Sequence, residues 1–174
     1  MQRWSIVIAL SLGLGGLSLP ASAQNPAART AFDAGMAKKK AQDFAGAEAD
    51  LQQAVKADPS YAQAWGELGN VRLKQSRAVP AIEAFQMALS KQPDLSVARY
   101  NLAFAYRQNK QFPEAANAYR AYLSKSPNDG DAYYGLAESL KAANRPVEAA
   151  EAFEGYARVE QRPEAQKWVQ AALA

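Results

Sequence analysis

Apolar residues recur three and four positions apart along most of the chain, which is the spacing of one face of an α-helix. Short polar stretches containing proline interrupt this pattern at regular intervals, as in DPSYA, QPDLS and SPNDG. Proline does not continue a helix, and it biases the residue before it away from helical angles. Further breaks alternate with these stretches, in KAQDFAGA, KQSRAVPA, RQNKQFPE and KAANRPVE. The pattern therefore predicts an all-α chain built from pairs of helices.

The same pattern returns along the chain at a constant interval, the one that separates Ala47 from Ala81. One column of equivalent positions holds only alanine, at Ala47, Ala81, Ala115 and Ala149. A second column holds residues with little or no side chain, at Gly35, Gly69, Ala103 and Ala137. A third column holds large apolar side chains, at Leu51, Phe85, Tyr119 and Phe153. We expect the small residues to lie where two helices approach closely and the large ones to fill the space between neighbouring units.

The period divides the chain into four units, residues 28–61, 62–95, 96–129 and 130–163. Residues 24–27 are expected to form a short disordered lead. Residues 164–174 read as one more helix, with Trp168 on its inner stripe together with Ala165, Val169 and Ala172. Because the last unit of a stack exposes an apolar face, we assign this helix the role of a cap.

Residues 62–93 carry W-x-x-L-G, then A-x-x-x-F, then a proline near the end of the unit. This pattern, with its constant period, resembles the tetratricopeptide repeat. The resemblance implies a right-handed α-solenoid of four helix-turn-helix units plus the C-terminal capping helix. Arg99 departs from the pattern because it replaces the aromatic residue of the third unit. Lys38 and Arg72 stand where the family usually has tyrosine, and we expect their stems to pack along a groove with their charged heads in water.

The segment 1–23 has the features of a signal peptide. Arg3 precedes an apolar stretch from Ile6 to Leu19, which is shorter than the roughly 20 residues that span a bilayer. The small residues Ala21 and Ala23 fit a signal peptidase site. We therefore expect cleavage after Ala23 and a mature chain that does not span the membrane. The expected location is outside the cytoplasm, in the periplasm or secreted.

Composition excludes several classes of chemistry. The chain contains no histidine and no cysteine, so histidine-based metal sites, hydrolase triads and disulfides are absent. Its net charge of +3 is not the strongly basic balance of a nucleic-acid-binding protein. Glu67 and Glu138 are the carboxylates that an enzyme would pair, but they lie two units apart with nothing to hold them together. We predict no catalytic residues, no metal and no cofactor.

The resemblance also implies which residues face a concave groove, because the first helix of each unit lines that face in the family. The predicted partner-binding residues combine aromatic, amide and basic side chains: Phe32, Met36, Lys39, Lys40, Asn70, Lys74, Tyr100, Asn101, Phe104, Arg107, Tyr134 and Lys141. Aromatic anchors and a basic series favour a peptide segment with apolar anchors and some acidic character.

One subgroup of the family holds a partner's C-terminal carboxylates with two asparagines and three basic residues. Asn70 and Asn101 match the two asparagines, whereas the basic positions fall on Gly66, Asp131 and Gly135. We therefore expect no clamp of that type here.

The sequence favours a non-catalytic interaction module or scaffold in the cell envelope. A structural solenoid that associates with itself, without a peptide ligand, is the main alternative. A carboxylate-based enzyme is the weaker one.

Overall fold

The computed structural model describes residues 25–160 and 166–173. The predicted signal peptide, its cleavage site and the segment 161–165 lie outside the described residues. The described part is helical and contains α1 (Pro26–Lys40), α2 (Phe44–Ala57), α3 (Ala62–Lys74), α4 (Ala78–Lys91), α5 (Ser96–Gln108), α6 (Phe112–Leu123), α7 (Gly130–Ala142), α8 (Pro146–Glu160) and α9 (Gln166–Leu173).

The helices pack in chain order. Each of the pairs α1·α2, α3·α4, α5·α6 and α7·α8 is in contact, and the second helix of each pair also touches the first helix of the next. In addition α3 touches α5, and α5 touches α7. The prediction of an all-α solenoid is confirmed, and the contacts between first helices create one continuous surface made from them.

The small column packs against the large column. A β-carbon built on Gly69 of α3 would lie 2.6 Å from Phe85 Cε1 of α4, and one on Gly35 of α1 would lie 2.9 Å from Leu51 Cγ of α2. Phe85 and Leu51 are fully buried. The glycines are therefore packing residues, since a side chain at either position would displace its partner from the core.

The turn inside each unit has the same backbone geometry. Gln42, Ser76, Lys110 and Asn144 all have positive φ, between 57° and 62°, and they occupy equivalent positions in the four units. At the first of these turns the Gln42 amide donates to the Lys39 carbonyl, and the Asp43 amide donates to the Lys38 carbonyl. This pair of bonds is the Schellman motif, which satisfies the last carbonyls of a helix.

The helix α1 begins at Pro26, so residues 26 and 27 do not belong to the disordered lead that the sequence analysis predicts. The side chain of Asn25 accepts a hydrogen bond from the Ala27 amide at 2.9 Å and caps the helix. Proline is well suited to the first position of a helix because its missing amide would have no partner there. This cap and this proline start the helix before the point at which the repeat begins.

The expectation that the Arg72 head lies in water is wrong. Its side chain is only 13% exposed, and its Nε donates to Glu48 Oε1 of α2 at 3.0 Å. Its Nη1 also donates to the Pro80 carbonyl at 2.9 Å, while Glu48 Oε2 accepts a second hydrogen bond, from Arg77 Nη1 at 2.7 Å. The guanidinium therefore joins the first unit to the second. The Lys38 ammonium likewise forms an ion pair, with Asp50 Oδ2 at 2.8 Å.

Trp168 of α9 packs against the last unit. Its ring centroid lies 5.6 Å from that of Tyr156, 5.9 Å from that of Tyr134 and 6.2 Å from that of Phe153. The side chains of the other predicted stripe residues lie outside the described residues. Within residues 25–160 and 166–173, none of the helices combines the length and apolar character that crossing a membrane requires.

Candidate functional site

The structure places all twelve predicted partner-binding residues on the first helices of the four units. Four lie on α1, two on α3, four on α5 and two on α7. We call the surface formed by α1, α3, α5 and α7 the groove. Its centre is at the contact between α3 and α5, where Asn70 and Asn101 come together.

A pocket of about 200 Å³ lies at this centre. Gly66 and Asn70 of α3 form one side of it, and Val97 and Asn101 of α5 form the other. Its remaining lining residues are Gln63, Glu67, Phe85, Leu95 and Ala98. Most of these are apolar, and the Val97 side chain is 64% exposed. The pocket therefore offers apolar contact area in the middle of a polar rim.

Gly66 keeps the pocket open. The nearest atom to a β-carbon built at this position is Leu95 Cδ2, at 3.8 Å, which is ordinary van der Waals contact. Gly66 thus differs from Gly69, one turn further along the same helix, which is packed tightly against Phe85. The missing side chain at Gly66 leaves room for the pocket, whose inner end is formed by Leu95 and by the fully buried Phe85.

The two asparagines of the pocket are bonded to each other. Asn101 Nδ2 donates to Asn70 Oδ1 at 2.7 Å, across the α3·α5 contact. This orientation of the amides leaves Asn70 with its two donors and Asn101 with its acceptor oxygen. The pair can therefore donate to and accept from the backbone of a bound peptide.

The aromatic residues of the groove are partly engaged in the core. The Phe32 ring lies 5.0 Å from the ring of buried Tyr61. The Tyr100 ring lies 5.7 Å from that of Tyr119 and 5.3 Å from that of Tyr122. Both Phe32 and Tyr100 are half-buried, so they present only one side to the groove.

Tyr134 presents more of its surface, whereas Phe104 is half-buried as Phe32 and Tyr100 are. The Arg107 guanidinium carbon lies 5.4 Å from the centre of the Phe104 ring, within the range of a cation–π contact. Tyr134 is 39% exposed and stands on the aromatic cluster at the end of the stack. Met36 is half-buried on α1. The exposed faces of these side chains extend the apolar surface on both sides of the central pocket.

The predicted lysines of the groove fall into two groups. Lys39 of α1 is paired with Glu67 of α3, so its charge is already compensated. Lys40, Lys74 and Lys141 are exposed, and in the described part of the chain they have no carboxylate within ion-pair distance. Each of these three lies in the last turn of a first helix, where a cation is favoured by the helix dipole. They form an uncompensated row of positive charge along one edge of the groove.

Burial changes the acid–base properties of the tyrosines beneath the groove. Removal from water raises the pKa of Tyr119 to about 12, and it also raises the pKa of Tyr100. Both therefore stay neutral at physiological pH. Among the described residues, His, Cys, Asp and Glu form no group of three that could hold a metal ion.

Of the residues that line the pocket, the predicted partner-binding set contains only Asn70 and Asn101, and the sequence analysis missed Phe85, Leu95 and Ala98. It places Phe85 in the core and Leu95 in the turn between units. Gly66 is the signal that could have pointed to them, because a glycine on the groove face leaves room for a pocket against the residues that pack behind it.

Comparisons with solved structures show the same fold. MamA from Desulfovibrio magneticus RS-1 superposes with a TM-score of 0.76 at 15% identity, over 87% of this chain and 93% of that one. A second MamA structure gives a TM-score of 0.72 at 23% identity, over 80% of this chain and 92% of that one. YrrB, described as a TPR protein with an unusual peptide-binding site, gives a TM-score of 0.75 at 17% identity, over 83% of this chain and 75% of that one. No curated protein shows significant sequence similarity to the chain.

Two family models match the chain, and both describe a tetratricopeptide repeat. One covers residues 32–96 and the other residues 106–173. Together they span most of the sequence and agree with the period that the alanine column marks. Tetratricopeptide repeats are non-catalytic scaffolds for protein–protein interaction. This chain belongs to the tetratricopeptide repeat family and is an interaction module rather than an enzyme.

Proposed function

We propose that this protein binds a peptide segment of a partner protein in the groove and acts as an assembly adaptor in the cell envelope. The observation that carries the proposal is the pocket between α3 and α5, which combines an apolar floor with the amide pair of Asn70 and Asn101. Such a combination suits a peptide, because a polypeptide has both apolar side chains and backbone groups that need hydrogen-bond partners.

In the proposed complex an aliphatic or aromatic side chain of the peptide enters the pocket beside Gly66 and Val97. The amides of Asn70 and Asn101 bond the peptide backbone on either side of that anchor. Lys74, in the last turn of α3, lies about 12 Å along the helix from Gly66, given the rise of about 1.5 Å per residue. An acidic residue a few positions from the anchor therefore reaches the uncompensated row of lysines. YrrB, with its described peptide-binding site on the same fold, supports this use of the solenoid.

The test begins with selection of peptides from a random display library on the immobilised mature protein. Selected peptides are expected to share one apolar anchor and at least one acidic residue. Their dissociation constants are then measured for two matched variants, Val97→Asp and Val147→Asp. Both valines are equally exposed, at 64% and 63%, but Val147 lies on the second helix of its unit and outside the groove.

We expect Val97→Asp to weaken binding at least tenfold and Val147→Asp to leave it unchanged, with the helical content of both variants equal to that of the wild type. Equal effects of the two substitutions, or no selected peptides at all, would contradict the proposal. Light scattering on the purified protein examines the alternative of a self-associating solenoid, for which the molar mass rises with concentration.

The envelope role rests on the predicted signal peptide. We propose export with cleavage after Ala23, which leaves Gln24 as the first residue of the mature chain. Mass spectrometry of the intact protein from its native host measures this directly. A mass that corresponds to residues 24–174 supports the proposal, and the mass of the uncleaved chain would overturn it.

A further inference from the structure

The column that contains Arg99 is aromatic in the units on either side. Trp65 holds the position in the second unit and Tyr133 in the fourth. Trp65 packs against two apolar clusters at once. Tyr133 packs onto α8, where its Cδ1 lies 2.6 Å from a β-carbon built on Gly155. An aromatic ring at this position therefore fills the wedge between the start of the first helix and the end of the second.

Arg99 reproduces one function of the ring that it replaces. In the second unit Trp65 Nε1 donates to the Pro59 carbonyl at 3.0 Å. In the third unit Arg99 Nη2 donates to the Pro93 carbonyl, and both the donors and the acceptors occupy equivalent positions of successive units. Arg99 thus keeps the hydrogen bond that fixes the turn between units, but it does not supply the volume of an indole.

The wedge of the third unit is open. A surface cavity of about 620 Å³ lies between the start of α5, the end of α6 and the turn at Pro93 and Asp94. This volume is within the range of natural ligand sites, about 300 to 1,000 Å³. Ala121 borders it, where the equivalent residues are Met87 in the second unit and Gly155 in the fourth. The cavity exists because Arg99 and Ala121 together leave the place of the ring empty.

We propose that this cavity is a second binding site, separate from the groove, which receives an aromatic side chain of a partner polypeptide with a carboxylate beside it. The neighbouring units show that an aromatic ring fits the wedge, because Trp65 and Tyr133 fill it there. A guest ring lies against the Arg99 guanidinium, which attracts the face of an aromatic ring. It also contacts Tyr122, whose ring forms another wall.

The charges around the cavity favour an acidic neighbour for that ring. Arg99 and Lys125 border the cavity with two positive charges, against the single carboxylate of Asp94. In the described part of the chain neither cation has a carboxylate within ion-pair distance. After its bond to Pro93, Arg99 retains four N–H donors for a guest carboxylate. The Tyr122 wall is fixed in place, because its hydroxyl donates to Asp129 Oδ2 at 2.7 Å.

The experiment uses the mature protein labelled with nitrogen-15 and the blocked dipeptide acetyl-Asp-Trp-amide as the probe. Amide shifts in NMR spectra report where the probe binds and how tightly. We expect shifts at Ser96, Arg99, Ala121 and Lys125, with millimolar affinity because the probe is small. The matched probe acetyl-Asp-cyclohexylalanine-amide, which has a saturated ring, is expected to bind at least fivefold more weakly.

Two variants fill the cavity from within. Arg99→Trp restores the aromatic residue of the second unit, and Ala121→Met copies Met87. Both are expected to abolish the shifts, and Arg99→Trp is also expected to raise the unfolding midpoint. Asn101→Ala, in the groove, is the control and is expected to bind the probe as the wild type does. The absence of shifts, shifts confined to the groove, or undiminished binding by the two filled variants would overturn the proposal. None of these results depends on whether the groove binds a peptide.

Discussion

The ring of Phe85 occupies the place of a side chain on Gly69, since a β-carbon at Gly69 would lie 2.6 Å from Phe85 Cε1. Gly66, one turn earlier on α3, shows the opposite situation, because its nearest neighbour would be Leu95 Cδ2 at 3.8 Å. The same residue type therefore has two roles within one helix. Gly69 allows two helices to pack, and Gly66 opens a pocket to the outside.

This difference predicts opposite effects of two alanine substitutions. Gly69→Ala forces Phe85 out of its place and is expected to lower the free energy of unfolding by about 1 to 3 kcal/mol. Gly66→Ala meets no such obstacle. Because it removes a glycine from a helix interior, it is expected to raise the free energy of unfolding by about 0.5 to 1 kcal/mol. Urea denaturation of both variants measures the two values. A loss of similar size in both would show that Gly66 is also a packing residue.

The ion pair between Arg72 and Glu48 predicts that removing the carboxylate lowers stability and that replacing both residues together restores it. Glu48→Ala leaves the largely buried Arg72 guanidinium without its carboxylate and is expected to cost about 3 kcal/mol of stability. The double variant Glu48→Ile, Arg72→Tyr copies the equivalent pair one unit later, Ile82 and Tyr106. It is expected to recover most of that loss in the same denaturation experiment. A double variant no more stable than Glu48→Ala would argue against a simple exchange of pairs between units.

The turns with positive φ predict that exchanging lysine and asparagine between two equivalent positions has opposite effects on stability. Lys110 has a φ of 59° and Asn144 a φ of 57° at equivalent positions. Asparagine tolerates this left-handed region better than lysine does. Lys110→Asn is therefore expected to stabilise the protein by about 0.5 kcal/mol, and Asn144→Lys to destabilise it by a similar amount. Thermal unfolding of the two variants provides the comparison, and shifts of the same sign would contradict the argument.

The buried Tyr119 predicts loss of stability at high pH. Its pKa is raised to about 12 by burial, above the value of 10.0 for an ordinary tyrosine. Its stabilising effect is complete below pH 10 and disappears as the pH rises from 10 to 12, because only the unfolded chain releases the proton readily there. The full effect amounts to about 3 kcal/mol at roughly 1.4 kcal/mol per pKa unit. The free energy of unfolding of Tyr119→Phe is expected to fall less steeply with pH than that of the wild type. The difference between the two pH profiles isolates the effect of Tyr119 from that of the lysines, which titrate in the same pH range. Parallel curves would contradict the prediction.

The fold is predictable from the sequence because its contacts repeat with the sequence. The relation of Gly69 to Phe85 returns, with other residues, in Gly35 and Leu51, so a column of small residues beside a column of large ones already describes the packing. The groove follows from the family resemblance, which indicates the face of each first helix. Once that face is known, the residues that line the groove can be identified from the sequence.

Contacts specific to one unit are not predictable in this way. Arg72 bonds Glu48, but the equivalent residues one unit later are Tyr106 and Ile82, so periodicity gives no reason to pair them. The early start of α1 depends on the side chain of Asn25, which precedes the first unit. The cavity at Arg99 depends on the small size of Ala121, which becomes visible only when the two helices are placed together.

The contacts between helices also have a mechanical consequence. In the described part of the chain, the extensive contacts join helices that are adjacent in order or separated by one helix. Each unit is therefore held only by its neighbours, as in other repeat proteins. A small rotation at α3·α5 and another at α5·α7 therefore add together and change the curvature of the whole concave wall. A load applied at the two ends of the stack would widen or narrow the groove.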